Sequence, residues 1–430
     1  VTGLWTGVSL KGTAGFCAGV KGEVEISSQD KEVLRGLAER VAEYASRKIE
    51  SEKRELWRKL NDLEQTRPLV FCDPENGWNE IFPESEFACE GSLAMRWEMV
   101  LRKELFWAEQ MKDDKVIEPF FLIGYTSTED DWGLDWKQRG GGGGAYTWDI
   151  AIKDEKDIKK LHNPVLSVDY ETTYKTVSLA RETFGDLLEV RLEGVWWWSF
   201  GMTVDLALWV GLEQMMLYMM DRPNLIKQLM SILRDGYLYK LKYLEDNNLL
   251  STNTDRYVGS GGFGYTSQIP SPEKDKPVTP KHMWGFCESQ ETIGVSPEMF
   301  GEFIFPYQLS FLEKFGLNCY GCCEPVDARW SIIKKSPNLR RVSVSPWADL
   351  EKMTSYLGNK YVLSWKPSPA ELAIPTINEK EIRDEIRNAL EITRGCHLEI
   401  LMKDNHTIGN NPKNVIRWVE IVREEIDRLY

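Results

Sequence analysis

Two spacings of apolar residues alternate along this chain. From Lys31 to Glu64 the sequence is charged and helix-favouring, with apolar points at Leu34, Leu37, Val41 and Tyr44. Steps of three and four place these on one face and predict an amphipathic helix laid on a larger body. The thirty residues before it are rich in Gly and Ser with weak periodicity and read as a loosely packed lead-in. Short runs of β-branched and aromatic residues follow a different rhythm. They predict strands at Pro68–Phe71, Leu188–Glu193, Thr254–Val258, His282–Cys287, Leu317–Cys322, Arg340–Val344, Tyr361–Trp365 and Leu398–Met402.

Helical stretches separate these runs. Ser296-Pro297-Glu298 supplies an N-cap, a first-turn proline and an acid suited to the helix dipole. Asn378 opens a helix with Ile382, Ile386 and Leu390 on one face, stopped by Gly395. Asn411-Pro412 opens the last, which buries Val415, Val419, Val422 and Ile426. Leu206 to Asp221 reads as one helix whose methionine pairs are core filler. The run Gly140–Gly144 resists regular structure and is a loop.

Alternating β and α elements imply a mostly parallel sheet with helical crossovers, and eight such strands close a (β/α)8 TIM barrel. The expectation is an N-terminal helical extension over residues 1–66 and a barrel over 67–430. An open doubly wound sheet is the runner-up, but no glycine-rich phosphate turn follows the first strand. Gly259 to Gly264 follows the third strand candidate instead and reads as a loop at the barrel's C-terminal rim.

Charge and composition narrow the function classes. The 430 residues carry 53 Lys and Arg against 67 Asp and Glu, a net charge of −14. That balance argues against nucleic acid and against a polybasic membrane contact. No apolar run reaches the roughly 18–20 residues of a bilayer crossing, and no basic-then-apolar leader stands at the start. Eight cysteines are too few for a disulfide scaffold. Three of them crowd into 319–323, which points to thiol or metal chemistry in a reducing, cytoplasmic setting. Seventeen tryptophans make an aromatic-lined pocket worth seeking.

In a barrel, functional residues come from the C-terminal ends of strands and the loops beyond. That rule selects Cys72, Asp73 and Glu75; Trp196, Trp197 and Trp198; Asp255 and Arg256; Cys287 and Glu288; Cys322, Cys323 and Glu324; Ser345; Lys366; and Asp404, Asn405 and His406. Within Asn318–Glu324, strand alternation puts Tyr320, Cys322 and Glu324 on one face and Cys319 and Cys323 on the other. Cys322 with His406 and Glu288 then makes a zinc set that keeps an open position. Glu288, Glu324 and Tyr320 are the catalytic candidates. Trp78, Trp196, Trp197, Trp198 and Lys366 are the substrate-binding ones. His162, His282 and His397 read as structural.

Four segments carry a family resemblance: Ser296 to Pro306, Cys319 to Glu324, Trp365-Lys-Pro-Ser-Pro369 and Asn405-His-Thr-Ile-Gly-Asn-Asn-Pro412. In order and spacing the stretch from about Gly194 to Tyr430 resembles the uroporphyrinogen decarboxylase-like superfamily. That group includes cobamide-dependent methyltransferases and is related to cobalamin-independent methionine synthase. The resemblance implies a (β/α)8 barrel. In the methyltransferase branch a His-x-Cys pair at the end of a middle strand and a late cysteine hold zinc. Here the first reads Tyr320-Gly321-Cys322 and the second falls at Asn405-His406, while Glu288 fills an acidic position on the preceding strand. The decarboxylase branch grips its substrate's propionates with an Arg-x-Ala-Gly-Arg loop. Cys72-Asp-Pro-Glu-Asn-Gly-Trp78 stands there instead, and two acids would repel an octacarboxylate.

The resemblance therefore implies a corrinoid-dependent methyltransferase of one-carbon metabolism. It would move a methyl group between a small methylated compound, such as a methoxylated aromatic, and a corrinoid carrier protein. The alternatives are a methylcorrinoid:thiol methyltransferase, a cofactor-free decarboxylase or lyase acting on a small acid, and a non-catalytic barrel that binds an aromatic or tetrapyrrole ligand. A homodimer is a further expectation.

Overall fold

A computed structural model describes residues 23–134, 138–140 and 146–430. Eight strands lie in parallel ladders: β1 (Leu69–Cys72), β2 (Phe120–Gly124), β3 (Glu189–Glu193), β4 (Trp284–Cys287), β5 (Leu317–Tyr320), β6 (Leu339–Val344), β7 (Val362–Trp365) and β8 (His397–Met402). Six form one sheet in the order β1-β8-β7-β6-β5-β4, and β2 pairs with β3. Parallel strands alternating with helices give a barrel-like arrangement, but among the described residues the hydrogen-bonded ladder is not continuous, which corrects the expectation of a closed barrel.

Side chains and loops take over where the ladder is interrupted. On the free edge of β1, Val70 and Cys72 donate their N–H groups to the carboxylates of Asp114 and Asp113 at 2.8 and 2.9 Å. Asp114 N–H returns a bond to Val70 C=O. On the free edge of β4, the Asn253 amide pairs with both backbone groups of Trp284, and Phe200 N–H donates to Phe286 C=O. Buried backbone groups must find partners, and these strands find them without a neighbouring strand.

Two strand expectations change. Thr254–Val258 is not a ladder strand: Tyr257 bridges Phe263 in an isolated antiparallel contact, so the segment folds back on itself. Phe120–Gly124, a five-residue apolar run behind Pro119, takes the vacant place in the count. The glycine-rich stretch therefore enters the barrel rather than capping its rim. Gly259, Gly261 and Gly262 lie so close to Phe286, Arg341 and Trp57 that a Cβ at each would collide with those side chains. Inside, Arg341 pairs with Glu399 at 3.2 Å, both fully buried, and Gly262 N–H donates to the same carboxylate.

The N-terminal helices are α1 (Ser28–Ala45) and α2 (Lys48–Asn61), broken at Ser46-Arg47 where one helix was expected. Helix α2 sends Trp57 and Asn61 into the barrel interior. Asn61 donates to the carbonyls of Phe263 and Tyr265 and accepts from Arg341. The stretch from Leu206 to Asp221 is likewise two helices, Thr203–Val210 and Leu212–Asp221, separated at Gly211 with φ +87°. Met215 and Met219 are buried, as core filler should be, whereas Met220 is exposed. Residues 141–144 of the glycine run and residues 1–22 of the lead-in lie outside the described residues. No helix among the described residues is long and apolar enough to cross a membrane.

Candidate functional site

Beyond β5 the chain cannot continue as a strand, because Gly321 takes φ +92°, a left-handed value open mainly to glycine. Strand alternation ends with it. Tyr320 points away from the barrel axis, its hydroxyl donating to Gln308 Oε1 at 2.6 Å in a fully buried setting. Cys322 turns the other way, joining Cys319, Trp198, Val258, Trp284 and Phe286 in one packed cluster that Cys323 also touches. The predicted sorting into a Tyr320–Cys322–Glu324 face and a Cys319–Cys323 face is thus replaced by a turn that brings the cysteines together.

The two vicinal sulfurs, Cys322 Sγ and Cys323 Sγ, lie 3.5 Å apart, and Cys323 Sγ is 3.3 Å from Asp404 Oδ2. Donor atoms from all three residues fall within 4.8 Å of one another, the one such group of metal-ligating side chains among the described residues. Tetrahedral zinc with bonds of about 2.3 Å to sulfur and 2.0–2.2 Å to oxygen sets two sulfurs about 3.8 Å apart and sulfur and oxygen about 3.5 Å apart. Two edges of one tetrahedral face, the two running to Cys323, are therefore already close to these lengths. The donor set offers three protein ligands, which leaves a fourth position for a small molecule.

Charge is balanced tightly here. The Cys322 thiol is held below its usual range, first by the hydrogen bond from Cys323 and then by the Lys366 ammonium, against the opposing effect of burial. The Cys323 thiol is correspondingly pushed up by Cys322 and by burial. Lys366, buried at the end of β7, reaches the Ser260 hydroxyl and the Cys322 carbonyl, the latter at 3.3 Å, so it ties the inserted loop to the cysteine turn. Glu75, beyond β1, accepts from Asp404 N–H at 3.1 Å. Desolvation at the crowded mouth, with Asp73 and Asp404 adding to it and Lys403 opposing, pushes its carboxyl up to about 7. Glu75 and Asp404 both hold left-handed backbones, φ +49° and +62°. Such conformations gather at functional sites.

The remaining predicted residues take other posts. His406 is exposed on the loop after β8 and is absent from the donor group, where Asp404 stands instead. Glu288 is fully buried, accepting from Ser199 Oγ and Gln290 N–H, and burial with Glu291 and Glu324 nearby raises its pKa far above the carboxylate range. Cys322 adds to that rise, but Glu288 too lies outside the group. Glu324 spends both oxygens on the N–H groups of Ser289 and Cys322, each at 2.8 Å, and so shapes the turn that carries the cysteines. The metal-capable set is thus Cys322, Cys323 and Asp404 rather than Cys322, His406 and Glu288.

Beside the cysteines opens a cavity of about 270 Å³, lined by Leu122, Val195, Trp197, Trp198, Trp284 and Phe286 and by the inserted 256–259 segment. Of the four tryptophans expected to form a pocket, Trp197 and Trp198 do so. Trp196 is turned away, donating to Leu249 C=O and stacked on Tyr125. Trp78 packs against Trp107 and Phe82 while donating to Asp73. One ion pair, Glu193 with Arg256, also lines the cavity. The strand-end rule places Cys323 and Asp404 at the mouth but gives them no role, for which the adjacent cysteines were the available signal. Trp284 and Phe286 escape it because they lie within a strand rather than beyond its end.

No protein-family model matches the chain, and no curated protein does. Among solved structures, a methyltransferase from Methanosarcina mazei is similar in fold outline at 12% sequence identity, with a TM-score of 0.48, covering 88% of this chain and 98% of that one. At that level of likeness the functional reading rests on the site itself.

Proposed function

We propose that the chain is a methyltransferase that moves a methyl group between a small methylated compound held in the aromatic cavity and a corrinoid on a separate carrier protein docked at the same mouth. The observation that carries this reading is the continuity of the Cys322–Cys323–Asp404 donor group with the cavity wall of Trp198, Val258 and Phe286. A soft, three-ligand set beside an apolar chamber suits a reaction that must polarise one heteroatom while keeping water from a reactive methyl acceptor.

Cys322, Cys323 and Asp404 would hold zinc, which when bound supplies Lewis acidity toward the heteroatom that carries the methyl group. Trp197, Trp198, Trp284 and Phe286 exclude water and pack the substrate body. The Glu193–Arg256 pair gives that body polar partners and so sets its orientation. Lys366 holds the Cys322 turn against the Ser260 loop, keeping the ligand geometry fixed.

The open fourth position also suits an exogenous thiol, so the same site supports transfer from a methylated corrinoid to a thiol acceptor. One experiment separates the readings. The purified chain is mixed with a corrinoid carrier protein and candidate methyl donors or thiols, and the cobalt spectrum is followed. Transfer that requires cobalt, stops with a chelator and returns with zinc supports the proposal. Turnover of a small acid that survives chelation and ignores the carrier would instead establish the lyase.

A further inference from the structure

We infer that Cys322 and Cys323 close into a reversible vicinal disulfide by exchange with a low-molecular-weight disulfide, switching the donor group between a ligating and a blocked form. The thiols are consecutive in sequence, their sulfurs face each other at 3.5 Å, and both are free. Rotation about the side chains must bring them about 1.5 Å closer to reach the roughly 2.05 Å of a disulfide bond. The preceding Gly321, at φ +92°, and the irregular backbone through 324 place them in a turn rather than a rigid ladder. Access is asymmetric: Cys323 is half-buried and reachable from solvent, whereas Cys322, Cys319 and Cys287 are buried.

The chemistry balances with one named oxidant. A thiolate of the pair attacks the small disulfide RS–SR, forming a protein–S–SR bond and expelling RS⁻. The second thiol, losing its proton, attacks the protein sulfur of that mixed disulfide and expels a second RS⁻. The protein is oxidised by two electrons, and the small disulfide is reduced to two thiols. The second step is intramolecular between sulfurs already in contact, so the mixed disulfide does not accumulate. Consecutive Cα atoms are only about 3.8 Å apart, short of the roughly 4.4–6.8 Å that disulfides favour. The bridge is therefore strained and readily reduced, as a switch requires and a structural staple does not.

Loss of both sulfurs from the ligand set follows only if that set binds zinc, and this consequence rests on the reading above; the bridge itself does not. The test treats the intact, metal-free chain with oxidised glutathione, alkylates the remaining thiols, and weighs the peptide containing residues 322 and 323. The expected result is a loss of two hydrogens, no glutathione adduct, and full recovery of alkylation after dithiothreitol. Cys322→Ser should instead trap glutathione on the reachable Cys323, whereas Cys323→Ser, which leaves only the buried Cys322, should take up little. A wild-type peptide that is alkylated at both cysteines, or that keeps a stable glutathione adduct, overturns the inference. A parallel sample preloaded with zinc reads the metal separately. Protection there supports the competition, whereas bridging at an unchanged rate counts against the zinc reading and leaves the metal-free result to judge the bridge.

Discussion

Gly259 is where the inserted loop meets the cavity wall, and Gly259→Ala tests both. Its φ is +56°, and a Cβ there would collide with the Phe286 ring, which itself lines the cavity. Two costs add. Holding an alanine in the left-handed region costs about 1–2 kcal/mol. Forcing a packed ring aside costs about 1–3 kcal/mol more. The substitution should therefore destabilise by about 2–5 kcal/mol, a large share of the roughly 5–15 kcal/mol that holds a folded protein together. Urea unfolding gives the difference directly. The two costs separate in a double-mutant cycle with Phe286→Ala, since removing the ring leaves only the backbone penalty. A coupling of about 1–3 kcal/mol is expected between positions 259 and 286. If the two substitutions add to within about 0.5 kcal/mol, the loop does not press on Phe286, and its placement inside the barrel is wrong.

Further outcomes can be checked independently. Cys322→Ala and Asp404→Asn should each abolish stoichiometric zinc binding measured by metal analysis after dialysis, while His406→Ala should leave it intact. The reverse pattern would restore the histidine to the site. Asn61→Ala removes two buried donated hydrogen bonds and one accepted from Arg341; at about 1 kcal/mol for each it should cost about 3 kcal/mol, read as a fall in the urea midpoint. Asp205, buried and bonded to the Tyr237 hydroxyl at 2.6 Å, has its carboxyl pushed up to about 7, chiefly by burial. The folded chain then holds a proton that the unfolded chain releases near pH 4, so this group's contribution is fully present below about pH 4 and is lost as pH rises through 7. Asp205→Asn should flatten that decline, worth about 2–3 kcal/mol between pH 5 and pH 8, in urea midpoints measured at those two pH values; an unchanged pH profile would show that Asp205 is not the group responsible.

Local sequence determined the rhythm of this protein. Seven of the predicted strands lie within a residue or two of ladder strands, because a short β-branched run between helical stretches has few other ways to satisfy its backbone. The caps at Ser296 and Asn378 do what their side chains dictate, each accepting a backbone N–H in the first turn. The rule that strand ends carry chemistry also places Glu75, Cys322, Cys323, Lys366 and Asp404 at one mouth from the sequence alone.

Which of those residues meet was a tertiary decision. One positive φ at Gly321 cancels the alternation that would have paired Cys322 with Glu324, and sends Glu324 to hold the backbone instead. His406 lost its expected place to Asp404, two residues nearer the strand, because a side chain's reach beyond a strand depends on how the loop turns. Tyr257 to Gly264 carries strand-like residues but folds back on itself inside the barrel, where glycines alone fit against Phe286, Arg341 and Trp57. Patterning along a chain reports which face of an element is buried; it does not report what arrives from two hundred residues away to bury it. That information exists only when the elements are packed, and it is what turned a list of mouth residues into a thiol pair, a carboxylate and an aromatic chamber.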